Sequence, residues 1–351
     1  MRRIAAMSTM LALVLLLAVA VGSAAAQTRV PGKSWDRAAT PESLGWSSDK
    51  LRLAREYTAT IPTAAVMIVV DGVVLDDWGE TTKRFNVHSI RKSFLSALYG
   101  IHVKEGRIRL AATLTELGID DNEPALAALE KQATVADLLK ARSGIYHPAL
   151  YETPGMTMAR PARGSYPPGT YWYYNNWDFN ALGTIFEQLT KTTIFEDFKR
   201  RLADPLEMED FRLEDGTYVR GKESIHAAYL FRMTARDMAR FGLLFLRGGQ
   251  WRDHPIVPRE WVAESTRPYS NTGQTGGYGY MWWVSSGGPH FPSAFFKGEA
   301  FSAQGAGGHD ILVVPYLDLV IVHRVNTDEP KLYVTNSQFG HLVQLIMNAK
   351  H

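Results

Sequence analysis

A serine and a lysine stand three residues apart in the segment Val87 to Leu98, which reads VHSIRKSFLSAL. Residues at positions i and i+3 of a helix lie on the same face, so the Ser89 hydroxyl and the Lys92 amine can touch within one helix. A serine becomes a nucleophile when a base removes its proton, and a lysine can be that base if burial or nearby charge lowers its pKa towards neutrality. The spacing therefore predicts a nucleophile beside its base.

A helix must position this pair, and the apolar spacing supports one. Phe94, Leu98 and Ile101 repeat at i, i+4 and i+7, and Gly106 is well placed as a stop signal. Ser89 is expected at or near the helix N-terminus, where free backbone N–H groups favour developing negative charge.

The S-x-x-K pattern alone is a weak signal, because this chain contains it twice. Residues 47–50 read SSDK and are interpreted as the cap of a surface helix that runs to about Thr60. The functional interpretation of Ser89 and Lys92 therefore depends on residues elsewhere that complete a site.

The composition of the 351-residue chain limits its class. With 46% hydrophobic and 21% charged residues, it is expected to be globular, with one large domain or two closely joined ones. The chain has 38 basic and 36 acidic residues, and removal of Arg2 and Arg3 with an N-terminal signal would leave 36 of each. Such a balance gives no electrostatic reason to expect nucleic acid or an anionic membrane as partner. The absence of cysteine excludes thiol catalysis and cysteine-based zinc sites.

The N-terminal segment is typical of a secretory signal. Arg2 and Arg3 precede an apolar run that peaks at Leu11 to Val21, and small residues follow up to Ala26. An uncleaved anchor helix is the alternative, but the run is short for a membrane span. We predict a signal peptide at 1–26, export to the periplasm or the medium, and no membrane anchor after cleavage.

Strand patterns cluster at the two ends of the remaining chain. Ala64 to Val70 and Val73 to Gly79 are apolar runs joined by Asp-Gly, which predicts a hairpin with a type I′ turn. Near the C-terminus a helix is predicted from Gln338 to Met347, after several strands. These strands are Tyr278 to Val284, Ala294 to Phe301, Asp310 to Pro315 and Leu317 to Val325.

Between these ends the patterns are mostly helical, with a long Pro-, Gly- and Tyr-rich loop from Ile145 to Thr170. The predicted helices are Glu123 to Lys131, Thr134 to Leu139, Trp177 to Leu189, Ile194 to Leu202, Thr234 to Leu246 and Pro258 to Ser265. The pattern predicts an α/β fold of the α+β type. A sheet domain would comprise 27–88 and 268–351, and a mostly helical domain at 89–267 would be inserted in it, with the site at the interface.

A tyrosine and an asparagine could complete the serine–lysine pair. Residues 174–176 read YNN, follow Pro-Gly and precede a predicted helix that contains Leu-Gly. The phenol of Tyr174 could relay a proton to a leaving group. Tyr269 begins a second Y-x-N sequence, but it lacks both flanking dipeptides and is interpreted as a loop aromatic.

With these motifs in this order, the chain resembles the serine beta-lactamase and penicillin-binding-protein superfamily. The resemblance is to the class C-like branch, which contains esterases, D-aminopeptidases and 6-aminohexanoate-oligomer hydrolases. That branch is marked by S-x-x-K, then Y-x-N, then a third element on a strand at the edge of the site. Ser89 and Lys92 match the first motif and Tyr174 and Asn176 the second. The resemblance implies a beta-lactamase/transpeptidase-like fold, catalytic roles for Ser89, Lys92 and Tyr174, and a supporting role for Asn176.

The third element departs from the pattern of the family. Relatives carry Lys-Thr-Gly or His-x-Gly, whereas residues 303–309 read AQGAGGH here. If Gly305 to Gly308 aligns with G-K-T-G, Ala306 replaces a cation that helps to hold a substrate carboxylate. That loss argues against a proficient beta-lactamase or cell-wall peptidase. The glycines still permit a backbone N–H to form an oxyanion hole with the N–H of Ser89. The expected substrate edge of the site comprises Ala306, Gly307, Gly308 and His309.

Three further groups are candidates for a role in the site. Tyr146 and His147 could line an acyl pocket or simply occupy a loop. His309 is followed by an aspartate, but a glycine-flanked histidine at a strand start is more typical of a structural or pocket-lining position than of a general base. His88 diverges by about 100° from the nucleophile on a helix and is interpreted as packing.

The sequence therefore predicts a serine hydrolase that cleaves a small ester or amide through an acyl-enzyme on Ser89, with Lys92 and Tyr174 as proton relay. Whether lysine or tyrosinate is the first base stays open. A class C-like beta-lactamase or D-amino-acid peptidase is the alternative enzyme, and a non-catalytic binding or sensor protein is the alternative from another class. No G-x-S-x-G elbow or H-E-x-x-H zinc helix is found, and we expect no cofactor or metal.

Overall fold

The computed structural model describes residues 29–273, 276–285 and 290–351, so the predicted signal peptide lies outside the described residues. Its strands are β1 (Thr63–Val70), β2 (Val73–Gly79), β3 (Phe85–Asn86), β4 (Gly216–Val219), β5 (Ala228–Met233), β6 (Gln250–Trp251), β7 (His254–Pro255), β8 (Ser270–Asn271), β9 (Gly277–Tyr278), β10 (Trp283–Val284), β11 (Phe301–Gly305), β12 (His309–Val314) and β13 (Leu319–Val325).

The α-helices cover the sheet and fill the middle of the chain. They are α1 (Ser48–Thr58), α2 (Arg91–Lys104), α3 (Leu114–Leu117), α4 (Val135–Leu139), α5 (Pro154–Ala159), α6 (Asn176–Thr190), α7 (Ile194–Phe198), α8 (Ala235–Leu246), α9 (Arg259–Ser265) and α10 (Asn336–Asn348).

An eight-stranded sheet of order β2-β1-β13-β12-β11-β10-β9-β8 forms the centre of the fold. Strand β1 pairs antiparallel with β13, and β12 pairs antiparallel with both β11 and β13. The N-terminal hairpin is therefore joined to the C-terminal strands. This confirms the predicted antiparallel sheet made from both ends of the chain.

The turn between β1 and β2 has the predicted geometry. Asp71 and Gly72 have φ values of 49° and 71°, and a type I′ turn requires positive φ at both central residues. Asp-Gly supplies these conformations at low cost, because aspartate tolerates the left-handed region and glycine has no Cβ.

Both faces of the sheet are covered, so its central strands are buried on both sides. One face packs against the helical region, and α8 lies directly on β1, β12 and β13. The other face is covered by α1 and α10, which also pack on each other. Apolar residues are therefore required at consecutive positions, which explains the unbroken apolar runs of β1 and β13.

The structure differs from the predicted elements in several places. Tyr278 to Val284 is not one strand, because β9 and β10 lie at its two ends and pair antiparallel with each other. Strands β3, β4 and β5 form a separate three-stranded sheet, so part of the region predicted as helical is strand. Glu123 to Lys131 is not an α-helix, and only a 3-10 turn at Glu130–Gln132 forms there. Ala294 to Phe301 is mostly irregular, since the strand starts at Phe301. Within the part of the chain that the structure describes, no helix is long and apolar enough to cross a membrane.

Candidate active site

Ser89 lies at the entrance to α2, as predicted, but in a 3-10 turn formed by His88–Ile90 rather than in the helix itself. The helix begins at Arg91 and is buried around its whole circumference from Arg91 to His102. The repeat of Phe94, Leu98 and Ile101 implied that only one face of this helix is buried, whereas all of its faces are. It is a central helix of the fold, and the Ser89 turn leads directly into it.

Lys92 joins the nucleophile candidate to the tyrosine candidate. Its Nζ donates a hydrogen bond to Ser89 Oγ at 2.8 Å and another to the Tyr174 hydroxyl at 2.9 Å. The ammonium or amine also lies over the rings of Tyr174 and Phe179, at 4.6 and 4.8 Å from their centroids. The three residues that the motifs singled out therefore form one hydrogen-bonded chain.

The environment of Lys92 favours its neutral form. The residue is only 2% exposed, and burial lowers the pKa of its amine well below the usual value, with a smaller contribution from the positive charge of Arg91. Arg91 is itself buried, donates to Asn180 Oδ1 at 3.1 Å and lies 4.3 Å from the centre of the Tyr229 ring. A neutral lysine amine has a lone pair and can take a proton from a serine.

Tyr174 is held in place through its neighbour, the residue that caps α6. Asn175 is the N-cap of that helix and accepts from the Trp177 N–H at 3.2 Å, while its amide donates to the Ile145 carbonyl at 2.6 Å. The Tyr174 ring stacks on Trp283 with centroids 5.3 Å apart. Burial raises the pKa of the Tyr174 phenol to about 12, although a hydrogen bond to Ser89 acts in the opposite direction. The phenol is therefore protonated at neutral pH.

Asn176 is buried and supports a loop beside the site. Its side-chain amide donates to the Tyr151 carbonyl at 2.5 Å and is 3.5 Å from the Leu150 carbonyl. Tyr151 has a positive φ of 64°, so this contact holds the loop in a conformation that a non-glycine residue rarely adopts.

A cavity of about 280 Å³ opens in front of the nucleophile candidate. It is lined by Ser89, Thr153, Met156, Tyr174, Trp283, Gln304, Gly305, Ala306, Gly307, Gly308, Asp310, Val334 and Asn336. Of the predicted edge residues, Ala306, Gly307 and Gly308 therefore lie at this cavity. They form the turn between β11 and β12 rather than a strand, because Gly307 and Gly308 have φ values of 94° and 93°.

The backbone N–H of Ala306 is available at this turn. Among the residues that the structure describes, this N–H donates to no other group. Gly305, next to it, is packed so closely against the Ser89 turn that a Cβ would lie 2.4 Å from the Val87 carbonyl oxygen. Strand β11 and the Ser89 turn are thus held in direct contact.

His309 does not line the cavity, which corrects its predicted place at the substrate edge. The residue is fully buried at the start of β12. Its Nδ1 accepts from Arg324 Nε at 3.0 Å, and its Nε2 lies 3.1 Å from Thr327 Oγ1. The side chain therefore faces a polar cluster behind the glycine turn, and it is not positioned as a general base for Ser89.

His88 belongs to the same cluster and does more than pack. Its Nε2 lies 2.8 Å from Thr327 Oγ1 and its Nδ1 lies 2.8 Å from the Tyr151 hydroxyl. Because Arg324 can only donate, His309 Nε2–H donates to Thr327, whose hydroxyl then donates to His88 Nε2. Burial lowers the pKa of His88 to about 4 and that of His309 well below its usual value, so this directional chain passes through two neutral imidazoles.

Arg324 ends this cluster on strand β13. Its guanidinium is fully buried and donates to the carbonyl oxygens of Met233, Phe85 and Asn86 at 2.6, 3.0 and 3.1 Å. Burial lowers the pKa of this guanidinium to about 9. The arginine therefore ties the large sheet to the small sheet, immediately before the turn that carries Ser89.

The predicted pocket residues Tyr146 and His147 are not in the cavity. The Tyr146 ring packs edge-on against Tyr173 at 5.9 Å, and His147 Nε2 lies 3.9 Å from a Glu130 carboxylate oxygen. Both are buried and neither is among the residues that line this cavity, which agrees with the alternative that they occupy a loop. Tyr269 stacks on Tyr280 at 5.0 Å, in keeping with its interpretation as a loop aromatic.

Several cavity residues were missed from the sequence. Thr153 and Met156 come from the long loop, where α5 forms, and Val334 and Asn336 come from the entrance to α10. No local pattern marks these residues, because only the tertiary fold brings the loops together. Gln304 is different, since it lies inside the third element that the motif order had already located.

Comparisons with known proteins agree with this architecture. The beta-lactamase family model matches residues 51–344. Among solved structures, a putative 6-aminohexanoate-dimer hydrolase from Bacillus anthracis is 21% identical, with a TM-score of 0.63, over 85% of this chain and 81% of that chain. A family VIII carboxylesterase is 16% identical, with a TM-score of 0.62, over 87% and 99%. A class C beta-lactamase mutant is also 16% identical, with a TM-score of 0.61, over 88% and 97%.

Proposed function

This chain belongs to the beta-lactamase family, and we propose that it is a serine hydrolase that cleaves a small ester or amide through an acyl-enzyme on Ser89. One observation carries the proposal: Lys92 Nζ lies 2.8 Å from Ser89 Oγ and 2.9 Å from the Tyr174 hydroxyl. A nucleophile, a base and a proton donor thus stand in one chain at the wall of a cavity.

Acylation begins when Ser89 Oγ attacks the carbonyl carbon and its proton passes to the neutral amine of Lys92. Lys92 is the better base in the resting enzyme, because its lowered pKa leaves a free lone pair while the phenol of Tyr174 keeps its proton. Tyr174 then gives its proton to the leaving group and recovers one from Lys92. Deacylation runs the same proton transfers in reverse. Water attacks the carbonyl carbon of the acyl-enzyme, Ser89 Oγ takes back its proton, and the acid is released.

The developing oxyanion needs donors, and two backbone groups are proposed for it. Ser89 N–H lies at the N-terminal end of the α2 segment, and Ala306 N–H lies on the glycine turn that borders the same cavity. Backbone N–H groups fixed in this way stabilise negative charge without reorganisation.

The lining of the cavity supports a substrate without a carboxylate. Among the described residues that line it there is no arginine or lysine, so a substrate anion would find no charge partner there. An ester or amide is therefore preferred over a carboxylate-bearing beta-lactam. Hydrolysis of nitrocefin faster than of simple esters would overturn this preference.

The test compares Ser89→Ala protein with native protein on p-nitrophenyl acetate and butyrate. We expect the variant to lose at least a thousandfold in kcat, since loss of a catalytic member costs orders of magnitude. Ser47→Ala is the matched control, because Ser47 begins the second S-x-x-K sequence and caps α1; it should hydrolyse the esters at the native rate. An unchanged rate in Ser89→Ala would refute the proposal.

Covalent labelling separates the enzyme from a binding or sensor protein on the same fold. Intact-protein mass spectrometry after treatment with a fluorophosphonate should show one adduct, absent in Ser89→Ala. We also propose export with cleavage after Ala26, on the basis of the N-terminal sequence pattern. The same spectrum of exported protein should then give a mass that starts at Gln27.

A further inference from the structure

Thr327 lies behind the proposed active site, just after the end of strand β13. It is not one of the described residues that line the cavity, so it does not contact a substrate bound there. Its hydroxyl oxygen lies 2.8 Å from Nε2 of His88 and 3.1 Å from Nε2 of His309. The mechanism proposed above does not use this hydroxyl.

The two histidines that Thr327 joins belong to two different walls of the cavity. His88 precedes Ser89 in the 3-10 turn that carries the nucleophile. His309 begins β12, directly after the glycine turn. The centroids of the two rings are 5.2 Å apart, and the Thr327 hydroxyl is bonded to both rings.

The methyl group of Thr327 contacts the glycine turn as well. A Cβ added at Gly307 would lie 2.4 Å from Thr327 Cγ2, so the turn passes directly over the threonine at this point. Gly307 follows Ala306, whose backbone N–H is proposed as an oxyanion donor. Thr327 therefore touches the segment of the nucleophile and the segment of the oxyanion donor.

Thr327 is itself held on both sides along the chain. The Arg324 guanidinium, just before it in the sequence, donates to two carbonyl oxygens of β3 at 3.0 and 3.1 Å. Asp328, the next residue, accepts from Arg232 Nη1 at 2.9 Å. A hydroxyl on a segment that is anchored in this way can fix the positions of the groups to which it is bonded.

His88 has a backbone conformation that needs such support. Its φ is 48°, in the left-handed region that non-glycine residues rarely adopt and that persists only where the surrounding structure enforces it. Its N–H donates to Asn86 Oδ1 at 2.9 Å, and its ring is bonded to Thr327 and, at 2.8 Å, to the Tyr151 hydroxyl. Because the nucleophile is the next residue, loss of a bond to this ring would allow Ser89 to shift.

We infer that Thr327 is a positioning residue for the reaction at Ser89. Its hydroxyl accepts from His309 and donates to His88, and these two bonds fix the nucleophile relative to the proposed oxyanion donor on the glycine turn. This role rests on the proposed function. A displacement of about 1 Å at reacting groups can cost about a hundredfold in rate, so a hydroxyl that never touches the substrate can still determine kcat.

Thr327→Val tests the inference, because valine keeps the shape and the methyl contact but removes the hydroxyl. Per folded molecule, kcat for p-nitrophenyl butyrate should fall about tenfold or more while KM stays within about threefold of native, and fluorophosphonate labelling should slow in parallel. Thr327→Ser keeps the hydroxyl and should restore kcat to within about threefold of native. Native kcat in Thr327→Val, or a serine variant as slow as the valine variant, would overturn the inference.

Thr58→Val is the matched control, on the face of the large sheet that α1 covers. The Thr58 side chain is buried, and its hydroxyl accepts from Trp78 Nε1 at 2.9 Å and donates to the Arg55 carbonyl at 2.7 Å. Its loss should lower the midpoint of urea unfolding to a similar extent but leave kcat at the native value. An equal fall in kcat in both variants would assign the effect to general stability and overturn the inference.

The tautomers of the two histidines can be measured in native protein, so the test does not depend on whether Thr327→Val folds. The two bonds require a proton on Nδ1 of His88 and on Nε2 of His309, which nitrogen NMR of the imidazole rings distinguishes. A proton on Nε2 of His88 would overturn the inference, because the hydroxyl could then not donate to that ring. Failure of the proposed function would show differently, as no ester hydrolysis by native protein and no fluorophosphonate adduct at Ser89.

Discussion

At the scale of the residue, the burial that lowers the pKa of Lys92 also affects the stability of the protein. A buried lysine whose pKa is lowered in the fold binds fewer protons there than in the unfolded chain. Between the two pKa values, stability therefore rises with pH from this group. At neutral pH the burial of this amine therefore lowers the free energy of unfolding. Each unit by which the pKa is lowered corresponds to about 1.4 kcal/mol.

We therefore expect Lys92→Met to raise the free energy of unfolding by about 1 kcal/mol or more at pH 7. The gain should shrink as pH approaches 10.5, where the unfolded lysine also loses its proton. Urea unfolding at several pH values measures this, and kcat for p-nitrophenyl butyrate should fall at least a thousandfold.

Lys50→Met is the control for this substitution, because Lys50 occupies the same position of the second S-x-x-K sequence and is exposed. It should keep native activity and show no comparable gain in stability. A Lys92→Met protein that is less stable than native at pH 7 would contradict the expected sign.

How far single residues can be predicted depends on whether they carry a local pattern. Ser89 and Lys92 are marked by helical spacing, and Tyr174 by its flanking dipeptides, and the structure brings all three together. Asp310 has no such mark. It follows His309 in the chain, and only burial beside a cavity distinguishes it.

At the scale of the element, the contact between β11 and the Ser89 turn depends on the absence of one Cβ. Gly305→Ala would place that carbon 2.4 Å from the Val87 carbonyl oxygen, so the strand or the turn must move. We expect a loss of about 1–3 kcal/mol in stability. Esterase kcat should fall at least tenfold, because the Ala306 N–H would shift relative to Ser89.

Gly32→Ala is the matched control for Gly305→Ala. The nearest atom to its added Cβ is a guanidinium nitrogen of Arg252 at 4.0 Å, so both stability and kcat should stay close to native. Urea unfolding and p-nitrophenyl butyrate hydrolysis test both variants. Native kcat in Gly305→Ala would show that the position of β11 is not important for the reaction.

Elements with strong periodicity were predicted well, and the failures have physical causes. The β1–β2 hairpin and α6 have clear turn and cap signals. In contrast, β5 of the small sheet pairs both with β4 and with β3, which is distant in sequence, so no local pattern marks this sheet. Phe301 was placed at the end of a strand, whereas the structure starts β11 there. Pairing with the neighbouring β12 fixes that boundary.

At the scale of the whole molecule, the helical region and the large sheet share one core. Phe94 of α2 and Phe241 of α8 are in the same buried cluster as Ala65 of β1 and Val320 of β13. The predicted division into domains at 27–88 with 268–351 and at 89–267 stays a prediction. A shared core makes separate unfolding of the two parts costly.

We therefore expect the protein to unfold in a single cooperative transition. Far-ultraviolet circular dichroism, tryptophan fluorescence and esterase activity should be lost at the same urea concentration, and the calorimetric and van't Hoff enthalpies should agree. Two resolved transitions, with activity lost in the first, would instead indicate two independent units joined only at the site. Recovery of the signals after dilution is the control for reversibility.

The fold class followed from the sequence because strand signals lie at both ends of the chain, which leaves few topologies that join them. The covering of both sheet faces did not follow, since it depends on how α1, α8 and α10 dock. The cavity residues that the sequence did not reveal have the same cause, because loops from distant segments meet only when the helices pack on the sheet.

The anchoring of Arg324 has a consequence for how the proposed active site responds to its surroundings. The guanidinium joins the two sheets through carbonyl oxygens and the His309 ring, with no acidic group of the described chain paired to it. Dissolved ions weaken attraction between charged side chains far more than hydrogen bonds to buried carbonyl groups. We therefore expect the position of Ser89 relative to the large sheet to depend little on ionic strength.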